Sequence, residues 1–415
     1  MLIVNGQDYI NQLSWRQYQV PAAVADQVQD IIAAVRTRGD EAVLAWETKF
    51  NVEPKTLKIP TEIIDQAAYK MDSEVKAALE LSIARVKEYQ QQLPVMKTQT
   101  VAVGKSEIMF QASPVEKVGI YVPGGRASYP STVVMTATLA RIAGVRDIIL
   151  CTPPGPTGIP HAVTLGAAAA CGVDEVFCCG GAQAIAAMAF GTESIPKVDK
   201  IVGPGNIFVT AAKREVFGVV DIDGLAGPSE AMLVLDPGVP DQVLKWCIWD
   251  LKAQAEHDPE SCCVLVTTEA KLAERLALSV QDIPGHIVVC AGGWAEAQAV
   301  IEAFAPEHLE LIGPGPESLA TKIKNVGAVF VGPLSAIAIG DYVAGPSHVL
   351  PTGGSARSFS GLWTGSFMRV HSVIKINPQE FPSLAAAGET LALSEGLPAH
   401  AKSLALRRGT ASVEG

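Results

Sequence analysis

The strongest constraint on the fold is an alternation of short apolar segments and longer helical segments that begins near residue 117. Each apolar segment runs into a turn rich in glycine or proline, and an alanine-rich stretch of helical length follows the turn. The segments are VGIYVPGG, DIILCTPP, DEVFCCGG and VDKIVGPG. Strands that alternate with helices are typical of a mostly parallel sheet with helices on both of its faces.

A second series of apolar segments follows, namely EAMLVLD, CCVLVTT, HIVVC, LELIG and GAVFVG, whereas the first hundred residues have the apolar spacing of helices. The sequence therefore predicts an α/β protein with two Rossmann-like parallel-sheet domains, N-terminal helices and a C-terminal helical tail. We expect the two sheet domains at residues 113–229 and 230–365. The helices of residues 1–112 should pack on the second of these domains, and the tail should comprise residues 366–415.

The composition excludes several classes of protein. With 48% hydrophobic and 18% charged residues, the chain is too apolar to be disordered. Its formal net charge of -11 argues against nucleic acid or an anionic membrane as the main partner. It has no apolar run of about 18 residues, and its start, MLIVNG, does not resemble a signal peptide, so we expect a soluble cytoplasmic protein. None of the eight cysteines belongs to a C-x-x-C motif and most lie in apolar runs, which favours buried, reduced thiols over disulfides or metal ligands.

One predicted helix ends in an unusual polar sequence, DLKAQAEHDPE at residues 250–260. The apolar ridge of this helix includes Leu244, Cys247 and Leu251, and the same ridge continues into Gln254 and His257. Side chains three positions apart on a helix lie side by side, so the amide and the imidazole should point in one direction.

Four of the seven histidines lie in polar clusters, at positions 257, 308, 348 and 400. Together, Gln254, His257, Asp341 and His400 would make a nitrogen and oxygen ligand set suited to Zn²⁺, although their spacing is too dispersed to establish a metal site. The adjacent Glu307 and His308 have the groups needed for general acid–base catalysis, the alternative being a solvated turn.

Polar side chains also occur in the glycine-rich turns that follow the first series of strands. Tyr121, Gln183 and Asn206 each lie beside a predicted helix N-terminus, where a phosphate would be favoured. The chain contains no G-x-G-x-x-G motif, so a dinucleotide site here would be non-standard, and a purely structural role for these turns stays open.

Several of these motifs occur together in one known family, and in its order. They are VGIYVPGG, GGAQAIAAMAFGTESIPKVDKIVGPGN, LAGPSE, AQAEHDPES, APEHLEL, GDYVAGPSHVLPT and the E-x4-H of residues 395–400. The chain resembles the histidinol dehydrogenase family along nearly its whole length. The resemblance implies a zinc-dependent enzyme that oxidises L-histidinol through L-histidinaldehyde to L-histidine in two NAD-dependent steps, at the end of histidine biosynthesis.

The resemblance also implies a role for each candidate residue. Glu307 and His308 would be the acid–base pair. The other implied assignments are the zinc ligands Gln254, His257, Asp341 and His400; the substrate contacts Ser229, His308 and Glu395 together with those four ligands; and the NAD contacts Tyr121, Gln183 and Asn206. In this family the dimer is intertwined, so His400, and with it Glu395, would come from the partner subunit of a homodimer. Residues 113–229 would then form the NAD-binding domain and residues 230–365 the catalytic domain.

Two alternatives are kept beside this interpretation. One is a paralogous zinc- and NAD-dependent dehydrogenase of another small polar alcohol, such as a sulfonated or amino diol. Glu395 favours the cationic histidinol over a sulfonate, since a carboxylate attracts a cation. The other alternative is a catalytically silent metal- or nucleotide-binding protein, against which the intact Glu307 and His308 argue.

Overall fold

In the computed structural model of the chain, residues 1–13, 20–50, 52–124, 128–256 and 259–410 are described. They form two compact units. The larger unit comprises Met1–Leu93 and Val115–Phe367, and the smaller unit comprises Pro94–Pro114 and Met368–Gly415. The domain limits at residues 112, 229 and 365 remain a prediction. None of the described helices is long and apolar enough to cross a membrane.

The strands and helices alternate from residue 117 onward. The strands are β1 (Leu2–Asn5), β2 (Gln99–Val103), β3 (Ser106–Pro114), β4 (Lys117–Tyr121), β5 (Asp147–Thr152), β6 (Glu175–Cys178), β7 (Lys200–Val202), β8 (Asp221–Ile222), β9 (Glu230–Leu235), β10 (Cys262–Thr267), β11 (Gly285–Val289), β12 (His308–Ile312), β13 (Ala328–Val331) and β14 (Met368–Lys375). The helices are α1 (Gly6–Gln12), α2 (Ala22–Arg38), α3 (Asp40–Phe50), α4 (Thr61–Tyr69), α5 (Ser73–Gln90), α6 (Pro130–Ala143), α7 (Ala162–Ala170), α8 (Gly181–Phe190), α9 (Ile207–Val216), α10 (Asp241–Ala255), α11 (Ala270–Ala277), α12 (Trp294–Phe304), α13 (Pro314–Glu317), α14 (Ile337–Tyr342), α15 (Phe381–Ser394) and α16 (Pro398–Thr410).

The larger unit contains two parallel sheets, which confirms the predicted fold class. The first sheet has the strand order β6-β5-β4-β7-β8, and the second has the order β1-β11-β10-β9-β12-β13. In β5, Ile148 and Leu150 belong to one core and Ile149 and Cys151 to the core on the opposite face. This follows from the two-residue period of a strand, and it explains why the strands read as continuous apolar runs.

The N-terminal helices pack mainly on the first sheet, which corrects the expectation that they cover the catalytic domain. Helix α2 contacts α8 and α9, and α3 contacts α8, while α4 contacts α7 and α5 contacts α6. The core here includes Val28 and Val43 together with Ile185. Apolar spacing shows that a helix has a buried face, but it does not show which sheet will cover that face.

The first hundred residues are not all helical, which is a second correction. Strand β1 pairs in parallel with β11 at the edge of the second sheet, with Leu2 opposite His286. Residues 99–114 form β2 and β3, and β3 pairs antiparallel with β14 to make the three-stranded sheet β14-β3-β2 of the smaller unit. The partner strands of β1 and β3 lie more than two hundred residues away in the sequence, so no local pattern reveals the pairing.

The smaller unit carries many exposed apolar side chains. Its helices α15 and α16 pack against each other. Leu391, Leu393 and Leu406 are 63%, 61% and 59% exposed, and Ile374 on β14 is 64% exposed. Exposed apolar side chains concentrated in one small unit are a feature of interaction surfaces.

The cysteines form no disulfide within the described part of the chain. All eight are free thiols, and only Cys262 among them is not fully buried. They therefore contribute to the cores as small apolar residues.

Candidate active site

The larger unit contains a cavity of about 380 Å³, which six of the candidate residues line. They come from the turn after β7, the segment before β9, the end of α10, the start of β12 and the end of α14. The six are Asn206, Ser229, Gln254, Glu307, His308 and Asp341. The fold therefore brings together side chains that are far apart in the sequence.

The acidic and basic members of the predicted pair are both buried at the start of β12, with Glu307 7% and His308 4% exposed. The neighbouring strand β9 holds them through one residue. The backbone N–H of Glu230 donates to Glu307 Oε2 at 2.9 Å, and His308 Nδ1 lies 3.1 Å from the Glu230 carbonyl oxygen. The pair is thus a fixed part of the sheet and not a solvated turn.

The contact with Glu230 also determines the tautomer of His308. A carbonyl oxygen only accepts hydrogen bonds, so Nδ1 must carry the proton when the imidazole is neutral. The other nitrogen, Nε2, is buried and has no hydrogen-bond partner among the described residues. It lies 3.6 Å from Asp341 Oδ1, which is an ion-pair distance but too long for a hydrogen bond. Neutral His308 therefore offers a basic lone pair at Nε2.

Burial and neighbouring charges shift the pKa values of both groups. Burial raises the pKa of Glu307, because it disfavours the charged carboxylate, and the nearby His308 opposes this shift only in part. For His308 burial acts to lower the pKa, but the carboxylates of Glu307 and Asp341 outweigh it and the pKa is raised. The two side chains, 3.6 Å apart, thus both bind a proton more tightly than they would in water.

Gln254 and Asp341 line the cavity from the ends of two helices. Gln254 is 2% exposed and continues the buried ridge of Leu244, Cys247 and Leu251 in the last turn of α10. Asp341 lies in the last turn of α14. The C-terminus of a helix carries a partial negative charge, so this side of the cavity favours a cation.

The other predicted zinc ligands, and the substrate contact Glu395, lie outside the described residues or in the smaller unit. His257 lies outside the described residues. Glu395 follows α15 and His400 lies in the first turn of α16, so both belong to the smaller unit, where both are exposed. The part of the chain that the structure describes contains no group of three or more His, Cys, Asp and Glu side chains that could hold a metal ion.

His348 forms a hydrogen bond with the backbone of Asp341. Its Nδ1 lies 2.9 Å from the Asp341 carbonyl oxygen, and its Nε2 lies 3.3 Å from the hydroxyl of Thr132 in the first turn of α6. The carbonyl requires a proton on Nδ1, which leaves Nε2 to accept from the threonine hydroxyl. His348 thus ties a helix of the first sheet to the end of α14.

The three polar residues of the glycine-rich turns all make internal hydrogen bonds. Asn206 is exposed, and its side chain caps α9 by accepting from the N–H groups of Phe208 and Val209 at 3.1 and 3.2 Å. Tyr121 and Gln183 are 5% and 1% exposed, and neither lines the cavity. Burial raises the pKa of the Tyr121 hydroxyl. The structure therefore brings only Asn206 of the three into the cavity.

A buried ion pair near Asn206 was missed in the sequence. Lys213 Nζ lies 2.6 Å from Asp223 Oδ1 and donates to the Gly203 carbonyl at 2.5 Å, while the N–H of Gly203 donates to Asp223 Oδ2 at 2.7 Å. The pair thus holds both backbone polar groups of the glycine that begins the turn GPGN. A lysine and an aspartate ten residues apart, on different elements, give no local signal of this arrangement.

Comparisons with known proteins point to one family. The family model described as histidinol dehydrogenase matches residues 15–408. The histidinol dehydrogenases of Dehalococcoides mccartyi strain CBDB1 and Parasynechococcus marenigrum strain WH8102 are each 44% identical to this chain over 92% of its length, and the matches cover 90% and 91% of those proteins.

Solved structures agree with these matches. A crystal structure of histidinol dehydrogenase from Elizabethkingia anophelis superposes with a TM-score of 0.89 at 29% identity, covering 99% of this chain and 98% of that one. An acetylating aldehyde dehydrogenase from Geobacillus thermoglucosidasius shares the fold, with a TM-score of 0.51 at 12% identity over 90% of this chain and 96% of that one.

Proposed function

The chain belongs to the histidinol dehydrogenase family and is an oxidoreductase of histidine biosynthesis, and from this premise we propose that it oxidises L-histidinol through L-histidinaldehyde to L-histidine in two NAD-dependent steps. One observation carries the proposal. The buried Glu307 and His308 are held by the backbone of β9 in a cavity that they share with Gln254 and Asp341.

His308 is the base of both oxidations. Its Nε2 accepts the proton of the substrate hydroxyl while the adjacent C–H bond gives up a hydride. The Glu230 carbonyl keeps the proton on Nδ1 and orients the ring. After Nε2 has released that proton to water, it accepts a second proton from a hydroxyl of the hydrated aldehyde while the second hydride leaves.

Glu307 acts between the two oxidations. The aldehyde must add water before a second hydride can leave, and the Glu307 carboxylate takes a proton from that water. Because burial raises its pKa, this carboxylate is a stronger base near neutral pH than an exposed one. Its hydrogen bond from the Glu230 N–H fixes it beside His308.

Zinc is the implied metal, and the donor chemistry of the cavity fits it. Gln254 and Asp341 offer oxygen donors beside the negative end of the α10 dipole. With His257 and with His400 of the partner subunit they would complete four ligands. When bound, zinc would anchor the imidazole and amino nitrogens of the substrate. A cation beside Asp341 would also lessen the influence of that carboxylate on His308 and so favour the neutral imidazole.

NAD would lie along the turns that carry Tyr121, Gln183 and Asn206 and would accept the hydride. Asn206 borders the cavity, and the ion pair of Lys213 with Asp223 makes its turn rigid. Tyr121 and Gln183 would contact NAD from beneath the surface of the neighbouring turn, since little of either side chain is exposed.

The active unit is proposed to be a homodimer. The exposed apolar side chains of the smaller unit give it a surface that a second copy would cover, and this unit carries Glu395 and His400. Ser229, together with Glu395 of the partner subunit, would contact the substrate, the carboxylate attracting the cationic amine of histidinol.

The central test is the stoichiometry of the reaction. Two NADH should form per histidinol, with histidine as the product and little free aldehyde. One NADH with accumulating aldehyde would limit the enzyme to the first oxidation, and turnover of a sulfonated or amino diol in place of histidinol would favour the paralogous dehydrogenase.

Metal removal and subunit mixing test the rest of the site. Chelation should abolish activity, and zinc should restore it.

His257→Ala and His400→Ala enzymes should each be inactive, but a heterodimer of the two should regain activity, because one of its sites is intact. Heterodimers without activity would show that each subunit builds its site alone.

A further inference from the structure

Helix α3 carries a carboxylate that is completely buried although it lies far along the chain from every candidate residue. Glu47 is 0% exposed. A buried charge is rare unless it is paired or hydrogen-bonded. Two partners of Glu47 lie at the turn that begins α8: the backbone N–H of Gly180 donates to Oε2 at 3.0 Å, and Gln183 Nε2 donates to the same oxygen at 2.7 Å.

These contacts occupy the N-terminus of α8. The first N–H groups of a helix normally attract an anion such as a pyrophosphate. Here the Gly180 N–H is bound by the Glu47 carboxylate, and the Gly181 N–H donates to the Tyr121 hydroxyl at 3.1 Å. The anion at this helix end is therefore one of the protein's own side chains, and its charge would repel a second anion.

The same contacts determine which way the Gln183 amide points. A carboxylate only accepts hydrogen bonds, so the NH2 group of Gln183 must face Glu47 and the carbonyl oxygen must face away. A Cβ atom built on Gly181 would lie 2.9 Å from that oxygen, which places Oε1 over the glycine turn. Within the described part of the chain, Oε1 has no hydrogen-bond partner.

We propose that Glu47 is a positioning residue for the dinucleotide: it presents the Gln183 amide oxygen as an acceptor for a hydroxyl or amino group of NAD, and it keeps the pyrophosphate away from the N-terminus of α8. This inference rests on the proposed NAD site at Gln183.

The test compares two substitutions of Glu47 by direct binding of NADH, measured from its fluorescence or by calorimetry. Glu47→Leu removes both acceptor contacts and frees the amide to rotate. It should weaken NADH binding by about tenfold, the effect of losing one oriented hydrogen bond. Glu47→Gln keeps an acceptor oxygen for Gly180 and Gln183 and should stay within about threefold of the parent enzyme. In turnover, Glu47→Leu should raise the KM for NAD while kcat changes little.

A double-mutant cycle shows whether Glu47 acts through Gln183. Gln183→Ala should weaken NADH binding, and adding Glu47→Leu to it should cause no further loss, since the group to be oriented is gone. Glu193→Gln is the matched control. It removes a carboxylate that accepts from the N–H of Asp40 at the start of the same helix α3 but is not bonded to the α8 turn. NADH binding should be unchanged in this control.

Three outcomes would overturn the inference, and they differ in what else they affect. If Gln183→Ala leaves NADH binding unchanged while the parent enzyme binds NADH, the proposed NAD site is wrong and the inference fails with it. If Gln183→Ala weakens binding but Glu47→Leu does not, only the positioning role fails. If Glu47→Leu weakens NADH binding equally in the presence and absence of Gln183, then Glu47 only stabilises the fold. Glu47→Met, whose flexible side chain adapts to the site, repeats the test if the leucine variant does not fold.

Discussion

The two parallel sheets of the larger unit present their candidate residues at opposite edges. In the first sheet Tyr121 ends β4, and Gln183 and Asn206 lie at the starts of the helices after β6 and β7, so all three are at the carboxyl edge. In the second sheet Glu307 precedes β12 and His308 begins it, so the proposed acid–base pair lies at the amino edge.

This difference has an electrostatic consequence. Helices that connect parallel strands begin at the carboxyl edge and end at the amino edge, so their positive ends lie at the first edge and their negative ends at the second. At the carboxyl edge, the N-terminus of α9 beside Asn206 is therefore suited to an anion, whereas Glu47 already occupies the N-terminus of α8. The set at the amino edge, which includes Gln254 at the end of α10, surrounds a place suited to a cation. α/β proteins usually bind ligands at the carboxyl edge, and of the two proposed sites only the one at the first sheet follows this rule.

The two sheets also differ in how their buried ionisable side chains are neutralised. The first sheet pairs Lys213 with Asp223, and the two side chains are 4% and 5% exposed. In the second sheet Glu310 on β12 is 1% exposed, and its Oε2 has no hydrogen-bond partner in the described residues. The first sheet thus balances a buried charge with an ion pair, whereas burial raises the pKa of Glu310 so that the second sheet holds this carboxyl in its neutral form.

The largest expected effect comes from His308, at the centre of the amino edge. His308→Asn keeps a donor for the Glu230 carbonyl but removes Nε2. We expect both the alcohol and the aldehyde oxidation to slow by about 10² to 10⁴-fold, the usual contribution of a general base. Each half-reaction can be measured with histidinol or histidinaldehyde, with metal content as the control. A variant that loses only one half-reaction would contradict the double role of this nitrogen.

Glu307 should have a smaller and more selective effect. Glu307→Gln can still accept from the Glu230 N–H, so the local structure should be kept. We expect aldehyde oxidation to fall by about 10²-fold, while reduction of the aldehyde by NADH, which needs no added water, should change much less. Equal losses in both directions with normal metal content would mean that Glu307 only orients His308.

Much of this comparison could be predicted from the sequence, because it depends on local patterns. The alternation of apolar and helical segments predicts both parallel sheets. Glu307 and His308 are neighbours in the chain, and Gln254 continues a visible apolar ridge, so each gives a local signal. The β1–β11 and β3–β14 pairings give none, since a strand's partner is chosen by the whole fold.

The supporting residues could not be predicted for a related reason. Glu47 and Lys213 look like ordinary charged residues of amphipathic helices, and only the folded chain shows that both are buried against glycine-rich turns. Nor does any local pattern in the sequence reveal that Tyr121 and Gln183 are buried. A polar residue in a turn indicates where a ligand could bind, but not how much of its side chain remains accessible.

A stability effect should appear at Glu310, the buried carboxyl on β12 of the second sheet. Burial raises its pKa to about 9, and the charge of Asp250 adds to this shift. The folded protein therefore keeps a proton that the unfolded chain, with a glutamate pKa of about 4.3, has lost at neutral pH. The resulting stabilisation is complete below about pH 4, and it is lost as the pH rises to the folded value, at up to about 1.4 kcal/mol per pH unit.

Glu310→Gln should remove this loss, because the amide cannot ionise. The free energy of unfolding of the variant should exceed that of the parent by a margin that grows from pH 5 to pH 8, reaching about 2 kcal/mol or more. Denaturant titrations across this range give the measurement, with the exposed Glu269→Gln as the control. A margin that stays constant with pH would show that Glu310 is already ionised in the folded enzyme, and the contrast in buried charge between the sheets would disappear.

The smallest expected effect is at Asn206. Two roles of this residue can be tested separately there: the cap of α9 and the proposed anion site at the carboxyl edge. Asn206→Ala removes the oxygen that accepts from Phe208 and Val209, so the free energy of unfolding should fall by about 1 kcal/mol. Asn206→Asp keeps that oxygen and adds a negative charge, which suits a helix N-terminus, so stability should be preserved.

The negative charge of the aspartate variant would also face the dinucleotide phosphates. NADH binding should therefore weaken by about fivefold in the aspartate variant, as expected for roughly 1 kcal/mol of repulsion near water. Thermal unfolding and NADH fluorescence measure the two effects independently. If the aspartate variant binds NADH as tightly as the parent enzyme, the phosphates do not lie at this edge, and the two sheets would not differ in the charge of the ligands they accept.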